Sequence, residues 1–249
     1  MIAYPNVKVN LGLNVLRKRP DGFHDIETLF VPFDGLYDNL EIVESSRFQA
    51  ELENCDWDPE DDLTVKAYKM MQKEFNLPPV EIYLEKQVPV GAGLGGGSSD
   101  AAFTLRLLNE MFELKLSDKT LASYAARLGS DCAFFIYNEP MIGEGKGDIL
   151  TPYEIAFDGY YVDVITPEIE VSTAEAYSGI VPAVPEISLR EALKYPVEQW
   201  KDVLKNDFEK SIFAKYPEIE EIKRDLYDEG AVYAAMSGSG SAVFGIFKD

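Results

Sequence analysis

The most informative stretch of the 249-residue chain is a glycine-rich run that reads Pro89-Val-Gly91-Ala-Gly93-Leu-Gly95-Gly96-Gly97-Ser98-Ser99-Asp100. Five glycines within seven positions do not suit the interior of a helix or strand, where each costs about 1 kcal/mol. They do allow backbone N–H groups to converge on an anion. A helical pattern begins at Ser98, so the partial positive charge of a helix N-terminus follows directly. The run therefore predicts a phosphate-binding loop, with a purely structural turn as the alternative.

Three familiar nucleotide-binding motifs do not fit this loop. Gly91, Gly93 and Gly96 match the G-x-G-x-x-G spacing, but two helical patterns follow instead of a β-α-β alternation. A Walker loop needs a lysine before Ser98, and none is present. A protein kinase needs a histidine downstream of its glycines, and the single histidine, His24, lies upstream. Ser98 and Ser99 are candidates to bond phosphate or Mg²⁺, and capping of the helix is the alternative.

Composition excludes several classes of protein. With 46% apolar and 27% charged residues, the chain is typical of a globular protein with a sizeable core. Lys and Arg total 23 against 44 Asp and Glu, and the net charge of −21 excludes a nucleic-acid binder or an anionic-membrane binder. Two cysteines and one histidine exclude a Cys/His zinc site and a disulfide scaffold. The N-terminus lacks a signal-peptide pattern, so we expect a cytoplasmic protein.

Periodicity predicts a mixed α+β fold in two layers. A half-buried strand over 7–15 carries Lys8 and Asn10 on its polar face. We expect strands over 26–32, 40–43, 80–90 and 160–165, a turn containing Gly35 between the first two of these, and a closing hairpin around 237–241. We expect helices over 62–75 with Asp61 or Asp62 as N-cap, from Ser98, over 117–128, 132–136, 172–177 and 189–193, and over 203–227 with a bend or split at Pro217. Length favours two domains, predicted as 1–148 and 149–249.

The segment Pro89-x-x-x-Gly93-Leu-Gly-Gly-Gly-Ser-Ser-Asp-Ala-Ala102 resembles the phosphate loop of the GHMP kinases, the galactokinase, homoserine kinase and mevalonate kinase superfamily. Other segments are similar, in matching order, to the branch that acts on a cytidine diphosphate-linked methylerythritol. They are Asn6-Val-Lys8-Val-Asn10-Leu11, Arg19-Pro-Asp-Gly-Phe-His24, Leu128-Gly-Ser-Asp131, Gly143-x-Gly145-x-Gly147 and Ser237-Gly-Ser-Gly-Ser-Ala-Val-Phe244.

The resemblance implies a fold and a reaction. The fold is the two-domain GHMP kinase fold, with an N-terminal ribosomal-protein-like α/β sandwich, a C-terminal ferredoxin-like domain and the active site in the cleft between them. The reaction is ATP- and Mg²⁺-dependent phosphorylation of the methylerythritol 2-hydroxyl in the non-mevalonate route to isoprenoid precursors. It also implies that Lys8 neutralises the transferring charge while Asp131 takes the hydroxyl proton. From the residues alone, Lys8 is equally a solvated strand lysine and Asp131 equally a helix cap.

The resemblance also assigns binding residues. The nucleotide is held by the loop and two further side chains, namely Val90, Gly91, Ala92, Gly93, Leu94, Gly95, Gly96, Gly97, Ser98, Ser99, Asp100, Asp62 and Lys86. The acceptor is held by Asn10, Phe23, His24, Phe30, Thr173 and Tyr177, with the aromatic residues at its cytosine. This chain departs from the family pattern with Phe23 in place of a tyrosine and Asp62 in place of an asparagine.

Charge and partners follow from the same resemblance. Lys8, Lys86, the loop amides and Mg²⁺ are expected to make the site positive, because salt screens the acidic surface beyond about 10 Å. Partners are small molecules only, and the protein is expected to be a monomer or a weak homodimer. Two rival readings stay open, a GHMP kinase of the homoserine or mevalonate type and a non-catalytic nucleotide-binding regulator.

Overall fold

The computed structural model describes residues 1–155 and 157–249, which form two compact units. The first comprises Met1–Val7, Pro32–Val90 and Gly95–Glu139, and the second comprises Lys8–Val31, Gly91–Leu94 and Pro140–Asp249. These units are defined by compactness alone, so the predicted division after residue 148 stays a prediction. Across the described residues, each helix is too short or too polar to cross a membrane.

The elements confirm the predicted α+β class. The strands are β1 (Ile2–Ala3), β2 (Asn6–Lys18), β3 (His24–Tyr37), β4 (Asn39–Glu44), β5 (Gln49–Glu53), β6 (Val80–Glu85), β7 (Met141–Gly145), β8 (Ile149–Pro152), β9 (Tyr160–Ile165), β10 (Tyr233–Met236) and β11 (Val243–Lys248). The α-helices are α1 (Leu63–Phe75), α2 (Gly96–Met111), α3 (Asp118–Ala125), α4 (Cys132–Tyr137), α5 (Thr173–Ser178), α6 (Leu189–Ala192), α7 (Trp200–Val203), α8 (Glu209–Lys215) and α9 (Pro217–Asp228). Short 3₁₀ turns cover Pro59–Asp61 and Val197–Gln199.

The first unit is built on a sheet with strand order β1-β4-β6-β5. β4 and β6 pair antiparallel, with Asn39 opposite Glu85, whereas β5 and β6 pair parallel. The alternation of β6 buries Val80, Ile82 and Leu84 on one face, where α2 and α1 supply the rest of the core. Asp62 caps α1, as predicted, and accepts the N–H of Thr64 at 2.8 Å.

The second unit contains the antiparallel sheet β10-β11-β9 and most of the residues of the sheet β2-β3-β7-β8. Its apolar core draws on strands and helices from distant parts of the chain, including Leu13, Val15, Ile26, Val171, Phe208, Ile212, Ile219, Leu226 and Val243. Pro217 starts α9, which confirms the predicted split, because proline has no N–H to lose at the first helical position.

Several local predictions are wrong. The strand predicted over 80–90 ends at Glu85. The turn expected at Gly35 does not exist, because β3 continues to Tyr37 and the chain reverses at Asp38. Gly35 instead makes room for a ring, since a Cβ there would lie 2.5 Å from the Phe33 ring. The stretch 203–227 is not one split helix, because residues 204–208 separate α7 from α8 in a non-helical segment.

The strand that carries Lys8 is more deeply buried than its alternation predicts. Every residue of β2 from Asn6 to Val15 is buried, polar positions included. The expectation of a half-buried strand is therefore wrong, because within the second unit other segments of the chain cover the polar positions of the strand. Those segments form the candidate site described next.

Candidate active site

The glycine run has the backbone of an anion-binding loop. Gly91, Gly93 and Gly95 all have left-handed φ angles, of +71°, +75° and +76°. Gly95 is the N-cap of α2, which begins at Gly96, two residues before the predicted start. The first-turn N–H groups of α2 have no acceptor within the helix, and the helix dipole adds partial positive charge there. The loop is therefore suited to bind phosphate.

In the second unit, residues 91–94 lie between β2 and the turn after β10. The carbonyl oxygen of Leu94 accepts the N–H of Lys8 at 3.0 Å, and that of Ala92 accepts the N–H of Ala242 at 3.1 Å. Gly93 is the point of closest approach, because a Cβ there would lie 2.1 Å from the carbonyl oxygen of Ser237. This packing explains why position 93 admits only glycine.

Lys8 is buried, with 3% of its surface exposed. Its Nζ donates to the carbonyl oxygen of Gly93 at 2.8 Å and to Oδ1 of Asn10. The ammonium also lies 5.5 Å from the centre of the Phe30 ring. A buried ammonium is costly unless acceptors surround it, so this lysine is not the solvated strand lysine of the alternative reading. It lies against the carbonyl of the central loop glycine.

Asn10 and Ser237 complete the surroundings of Lys8 in the second unit. Asn10 donates through Nδ2 to Oγ1 of Thr28 at 3.1 Å, and its backbone N–H reaches Oγ of Ser237 at 3.3 Å. The Ser237 hydroxyl donates to the Gly93 carbonyl oxygen at 3.0 Å. One loop carbonyl therefore accepts from both Lys8 and Ser237.

The residues assigned to the cytosine form a group of rings in the same unit. His24 and Tyr177 stack with centroids 4.7 Å apart and planes 14° from parallel. Phe23 is 58% exposed, and Nζ of Lys146 lies 4.8 Å from its ring centre. Thr173 is exposed at the first residue of α5. The structure thus brings His24 and Tyr177 together from positions 153 residues apart in the chain.

In the first unit, Lys86 is the centre of a buried ionic triad. Its Nζ donates to Oδ2 of Asp100, in α2, at 2.7 Å and to Oδ2 of Asp38. Oδ1 of Asp38 accepts the N–H groups of Gln87 at 2.6 Å and Val88 at 2.9 Å. The triad lies directly against the start of α2, because a Cβ on Gly96 would be 3.3 Å from Nζ of Lys86.

The charges of this triad do not balance when all three groups are ionised. Burial raises the pKa of Asp100 to about 8, although the Lys86 ammonium opposes this rise. Oδ1 of Asp100 has no hydrogen-bond partner, which leaves the ionised form poorly stabilised. Burial lowers the pKa of Lys86, but the two carboxylates outweigh burial and raise it. The expectation that Lys86 makes the site positive is therefore wrong, because its ammonium is buried in an ion pair with Asp38 and a hydrogen bond to Asp100.

Asp131 stands at the N-cap position of α4, yet its side chain makes no capping hydrogen bond. The hydroxyl of Ser130 donates to its Oδ1 at 3.2 Å. The structure therefore gives no support to helix capping as the role of this carboxylate. The neighbouring Cys132 thiol is buried beside Ser98, and burial raises its pKa to about 11, as it does for Cys55. Neither cysteine is a thiolate nucleophile near neutral pH.

The predicted contacts of Asp62 and Ser99 with the nucleotide remain predictions. Asp62 is 6% exposed, and its Oδ2 accepts the indole N–H of Trp57 at 3.0 Å while Oδ1 caps α1. The Ser99 hydroxyl is buried without a hydrogen-bond partner. Within 1–155 and 157–249, there is no group of three or more His, Cys, Asp or Glu side chains arranged to hold a metal.

Sequence reasoning missed Asp38 and Asn206, which contact Lys86 and the turn around Ser237. Asp38 follows β3, where a turn was expected earlier at Gly35, and its partner Lys86 lies 48 residues away. Asn206 sits in a stretch assigned to a helix. Its type was a usable signal, because asparagine is a weak helix former and competes for backbone hydrogen bonds.

Family comparisons agree with this geometry. Residues 62–139 match the model of the GHMP kinases N terminal domain, and residues 183–249 match that of the GHMP kinases C terminal domain. The first match contains the whole glycine run, and the second contains Asn206 and the Ser237 turn. The two-domain GHMP kinase fold expected from the resemblance is confirmed.

Relatives that match the full length of the chain identify the branch of the GHMP kinases to which it is most similar. The chain is 54% identical over 255 residues to the 4-diphosphocytidyl-2-C-methyl-D-erythritol kinase of Bacteroides fragilis, covering 100% of this chain and 92% of the relative. It is 39% identical to the enzyme of that name from Thermodesulfovibrio yellowstonii, over 97% and 88% of the two chains.

Comparison with solved structures supports the same branch of the family. A crystal structure of 4-(cytidine 5'-diphospho)-2C-methyl-D-erythritol kinase matches with a TM-score of 0.82 and 31% identity over 98% of this chain and 89% of that one. A mevalonate kinase structure matches with a TM-score of 0.76 at 15% identity, over 100% and 91% of the two chains, which shows the shared fold alone. The glycine loop, the buried Lys8 and full-length identity agree, and the chain belongs to the 4-diphosphocytidyl-2-C-methyl-D-erythritol kinase family of the GHMP kinases.

Proposed function

We propose that the protein transfers the γ-phosphoryl group of ATP to the 2-hydroxyl of 4-diphosphocytidyl-2-C-methyl-D-erythritol, giving the 2-phosphate and ADP. This is a step of the methylerythritol phosphate route to isoprenoid precursors. Relatives of that name at 54% and 39% identity support the substrate. The observation that carries the chemistry is Lys8, a buried ammonium 2.8 Å from the carbonyl oxygen of Gly93 in the loop suited to phosphate.

The loop binds the phosphates of ATP through its backbone. Left-handed glycines and the start of α2 aim N–H donors and the helix dipole at an anion. The hydroxyls of Ser98 and Ser99 stand in the first turn of the helix, and that of Ser99 is buried and unpartnered, which fits bonding to a phosphate or its ion. Residues 90–100 therefore form the nucleotide side of the proposed site.

Lys8 and Asp131 act directly in the transfer of the phosphoryl group. The acceptor oxygen forms a bond to the γ-phosphorus as the bond from that phosphorus to the bridging oxygen of ADP breaks. The acceptor hydroxyl gives its proton to the carboxylate of Asp131, and the ammonium of Lys8 neutralises charge on the moving phosphoryl group. The assignment of Asp131 to this role rests on the resemblance of the Leu128-Gly-Ser-Asp131 segment and on the full-length relatives of the same family.

Mg²⁺ accompanies the nucleotide in this proposal. The described part of the chain has no carboxylate cage for it, which fits an ion carried mainly by phosphates with one or two protein oxygens, such as the Ser98 and Ser99 hydroxyls. When bound, it neutralises phosphate charge. The Lys86 ammonium is paired with Asp38 inside the triad and adds nothing to that neutralisation.

The acceptor is held in the second unit. We assign the cytosine to Phe23, His24 and Tyr177, because stacked and exposed rings offer the faces that a nucleobase needs. The sugar alcohol is assigned to Asn10 and Phe30, which surround Lys8, and Thr173 lies at the start of the helix that carries Tyr177. We further propose a cytoplasmic protein that is a monomer or weak homodimer, which light scattering tests.

The test is an ADP-release assay with ATP, Mg²⁺ and 4-diphosphocytidyl-methylerythritol, run beside mevalonate, homoserine and galactose. We expect turnover with the cytidylyl substrate alone and its loss in Asp131→Asn, which keeps the size of the side chain. Turnover of another alcohol would keep the kinase and overturn the substrate. ATP binding without any turnover would favour a non-catalytic nucleotide-binding protein.

A further inference from the structure

A short segment of the second unit, Asn206-Asp207-Phe208-Glu209, has no role in the reaction described so far. Its first three residues lie between α7 and α8 and Glu209 begins α8, in a stretch where helical periodicity predicted a continuous helix. Three of its four side chains hydrogen-bond to backbone groups elsewhere in the unit, and the fourth is a ring in the core. We call these four residues the NDFE segment.

Asn206 holds the turn after β10. It is 3% exposed, and its Nδ2 donates to the carbonyl oxygens of Met236 and Gly238, both at 2.8 Å. Its Oδ1 accepts the N–H of Phe208 at 3.0 Å, so both ends of the carboxamide are used. The two carbonyls flank Ser237 in sequence. Asn206 therefore fixes the backbone on either side of that serine.

Ser237 connects this turn to Lys8. Its hydroxyl donates to the Gly93 carbonyl oxygen at 3.0 Å, and Nζ of Lys8 donates to the same oxygen at 2.8 Å. A Cβ on Gly93 would collide with the Ser237 carbonyl oxygen, so the two backbones are in direct contact. A shift of the turn consequently moves the acceptor on which the Lys8 ammonium rests.

Phe208 connects the same segment to the rings. It is 2% exposed, and its ring meets that of Tyr177 edge to face, with centroids 4.8 Å apart at 84°. Tyr177 in turn stacks on His24. Phe208 therefore supports the ring of Tyr177 and, through it, the stacked pair of Tyr177 and His24.

Asp207 fastens the segment to β2 at a different place. Its Oδ2 accepts the N–H of Val15 at 2.7 Å, and its N–H donates to the carbonyl oxygen of Leu13 at 2.9 Å. Val15 lies seven residues beyond Lys8 in the strand, a span of about 23 Å in extended backbone. Asp207 thus belongs to the same segment, is half-buried, and directs its hydrogen bonds to β2 instead of to the Ser237 turn.

We propose that Asn206 and Phe208 are positioning residues for the two halves of the kinase reaction, Asn206 acting through the Ser237 turn on Lys8 and Phe208 acting through Tyr177 on the nucleobase. This inference rests on the proposed function. Lys8 acts on charge that develops during transfer, so misplacing it lowers kcat, whereas misplacing Tyr177 weakens acceptor binding and raises KM.

The experiment compares Asn206→Ala, Phe208→Leu and the matched control Asp207→Ala in the full-length protein, with unfolding midpoints measured for each. We expect Asn206→Ala to lower kcat by about tenfold or more with the acceptor KM within about threefold. We expect Phe208→Leu to raise the acceptor KM by about fivefold or more with kcat within about threefold. Asp207→Ala is expected to lose stability while both constants stay within about threefold of wild type.

A double-mutant cycle keeps the Lys8 part testable should Asn206→Ala not fold. Ser237→Ala removes one buried hydroxyl, and we expect it to lower kcat in the wild-type background but not in Lys8→Met, measured with radiolabelled ATP. An equal fractional loss in both backgrounds would overturn the link to Lys8.

The outcomes separate the two proposals. If the wild-type protein does not phosphorylate the cytidylyl substrate, the proposed function fails. If it does, and in all three segment variants kcat falls and KM rises in proportion to the loss of stability, the proposed function stands. The positioning roles are then rejected.

Discussion

A buried lysine is the most consequential single residue of this acidic chain. Lys8 keeps its charge inside the second unit by donating to Asn10 and to the Gly93 carbonyl, and the strand around it is buried on both faces. Folding alone does not require such a residue, because burying an ammonium costs free energy that an apolar side chain in a matching apolar site does not. Its retention is therefore better explained by chemistry than by packing.

We expect Lys8→Met to lower kcat by about 10³-fold and to lower the free energy of unfolding by about 1–3 kcal/mol, because the Asn10 and Gly93 oxygens lose a buried donor. Steady-state kinetics and urea unfolding measure the two quantities. Lys248→Met, which removes a surface ion pair with Glu198 in the same unit, is the control and should leave kcat unchanged. A Lys8→Met protein that unfolds readily and keeps its kcat when folded would contradict a catalytic role.

Gly93 offers a second test at single-residue scale, with a matched partner in the same unit. Gly93 and Gly159 have nearly equal φ angles, +75° and +78°, but only Gly93 has neighbours within 4 Å of an added Cβ. Gly159→Ala should cost about 1 kcal/mol for the left-handed backbone alone. Gly93→Ala should cost more than about 3 kcal/mol and lower kcat, because Ser237 must move. Similar costs for the two variants would refute the close contact.

At the scale of elements, burial beside Lys86 favours the protonated form of Asp100 in the first turns of α2. Lys86, Asp38 and Asp62 face Asp100 within the first unit, and burial holds the pKa of Asp100 at about 8 against 3.8 for an ordinary aspartic acid. The folded protein therefore binds a proton that the unfolded chain releases between these values. It follows that the contribution of Asp100 to the free energy of unfolding falls as pH rises from about 4 to about 8.

We expect Asp100→Asn to remove this decline, because the amide is neutral at every pH. Urea unfolding between pH 5 and pH 9, without nucleotide or Mg²⁺, measures it. Asp118→Asn, at an exposed position in the first turn of α3, is the control and should keep the wild-type slope. An unchanged slope in Asp100→Asn would mean that Asp100 is ionised in the folded protein.

Local signals predicted most elements, and long-range contacts explain the exceptions. Asp62, Ser117 and Ser172 start their helices where capping chemistry places them. The break at 204–208 was hidden because Leu204, Phe208 and Ile212 keep a helical spacing and are all buried. What interrupts the helix is a pair of carbonyls about thirty residues away that Asn206 bonds. Hydrogen-bond partners so distant in the sequence leave no local sequence pattern.

Part of the candidate site was likewise predictable from local sequence, and part depends on long-range contacts. The glycine loop was predictable from composition alone, since no regular element accommodates it. The Lys86 triad was not predictable, because Asp38 and Asp100 lie 48 and 14 residues from their shared lysine. Sequence reasoning read Lys86 as a free positive charge, and only the fold reveals the two aspartates that bond to it.

At the scale of the whole molecule, a net charge of −21 must coexist with two anionic substrates. Salt at physiological strength screens exposed charges beyond about 8–10 Å, so the buried and local groups decide binding. We expect kcat/KM to change by less than about threefold between roughly 50 and 300 mM salt, and activity to disappear in excess EDTA. Activity that persists in EDTA would contradict a Mg²⁺-dependent transfer, and a steep salt dependence would contradict local control.

The contacts around Lys8 also have a kinetic meaning. Lys8 reaches Gly93 across 85 residues, Ser237 reaches Gly93 across 144, and Asn10 reaches Ser237 across 227. Loops of this length close late, after helices and hairpins have formed from local contacts. During refolding from urea, recovery of catalytic activity should therefore lag behind recovery of the helical circular-dichroism signal. The chain acquires its secondary structure first and its chemistry last.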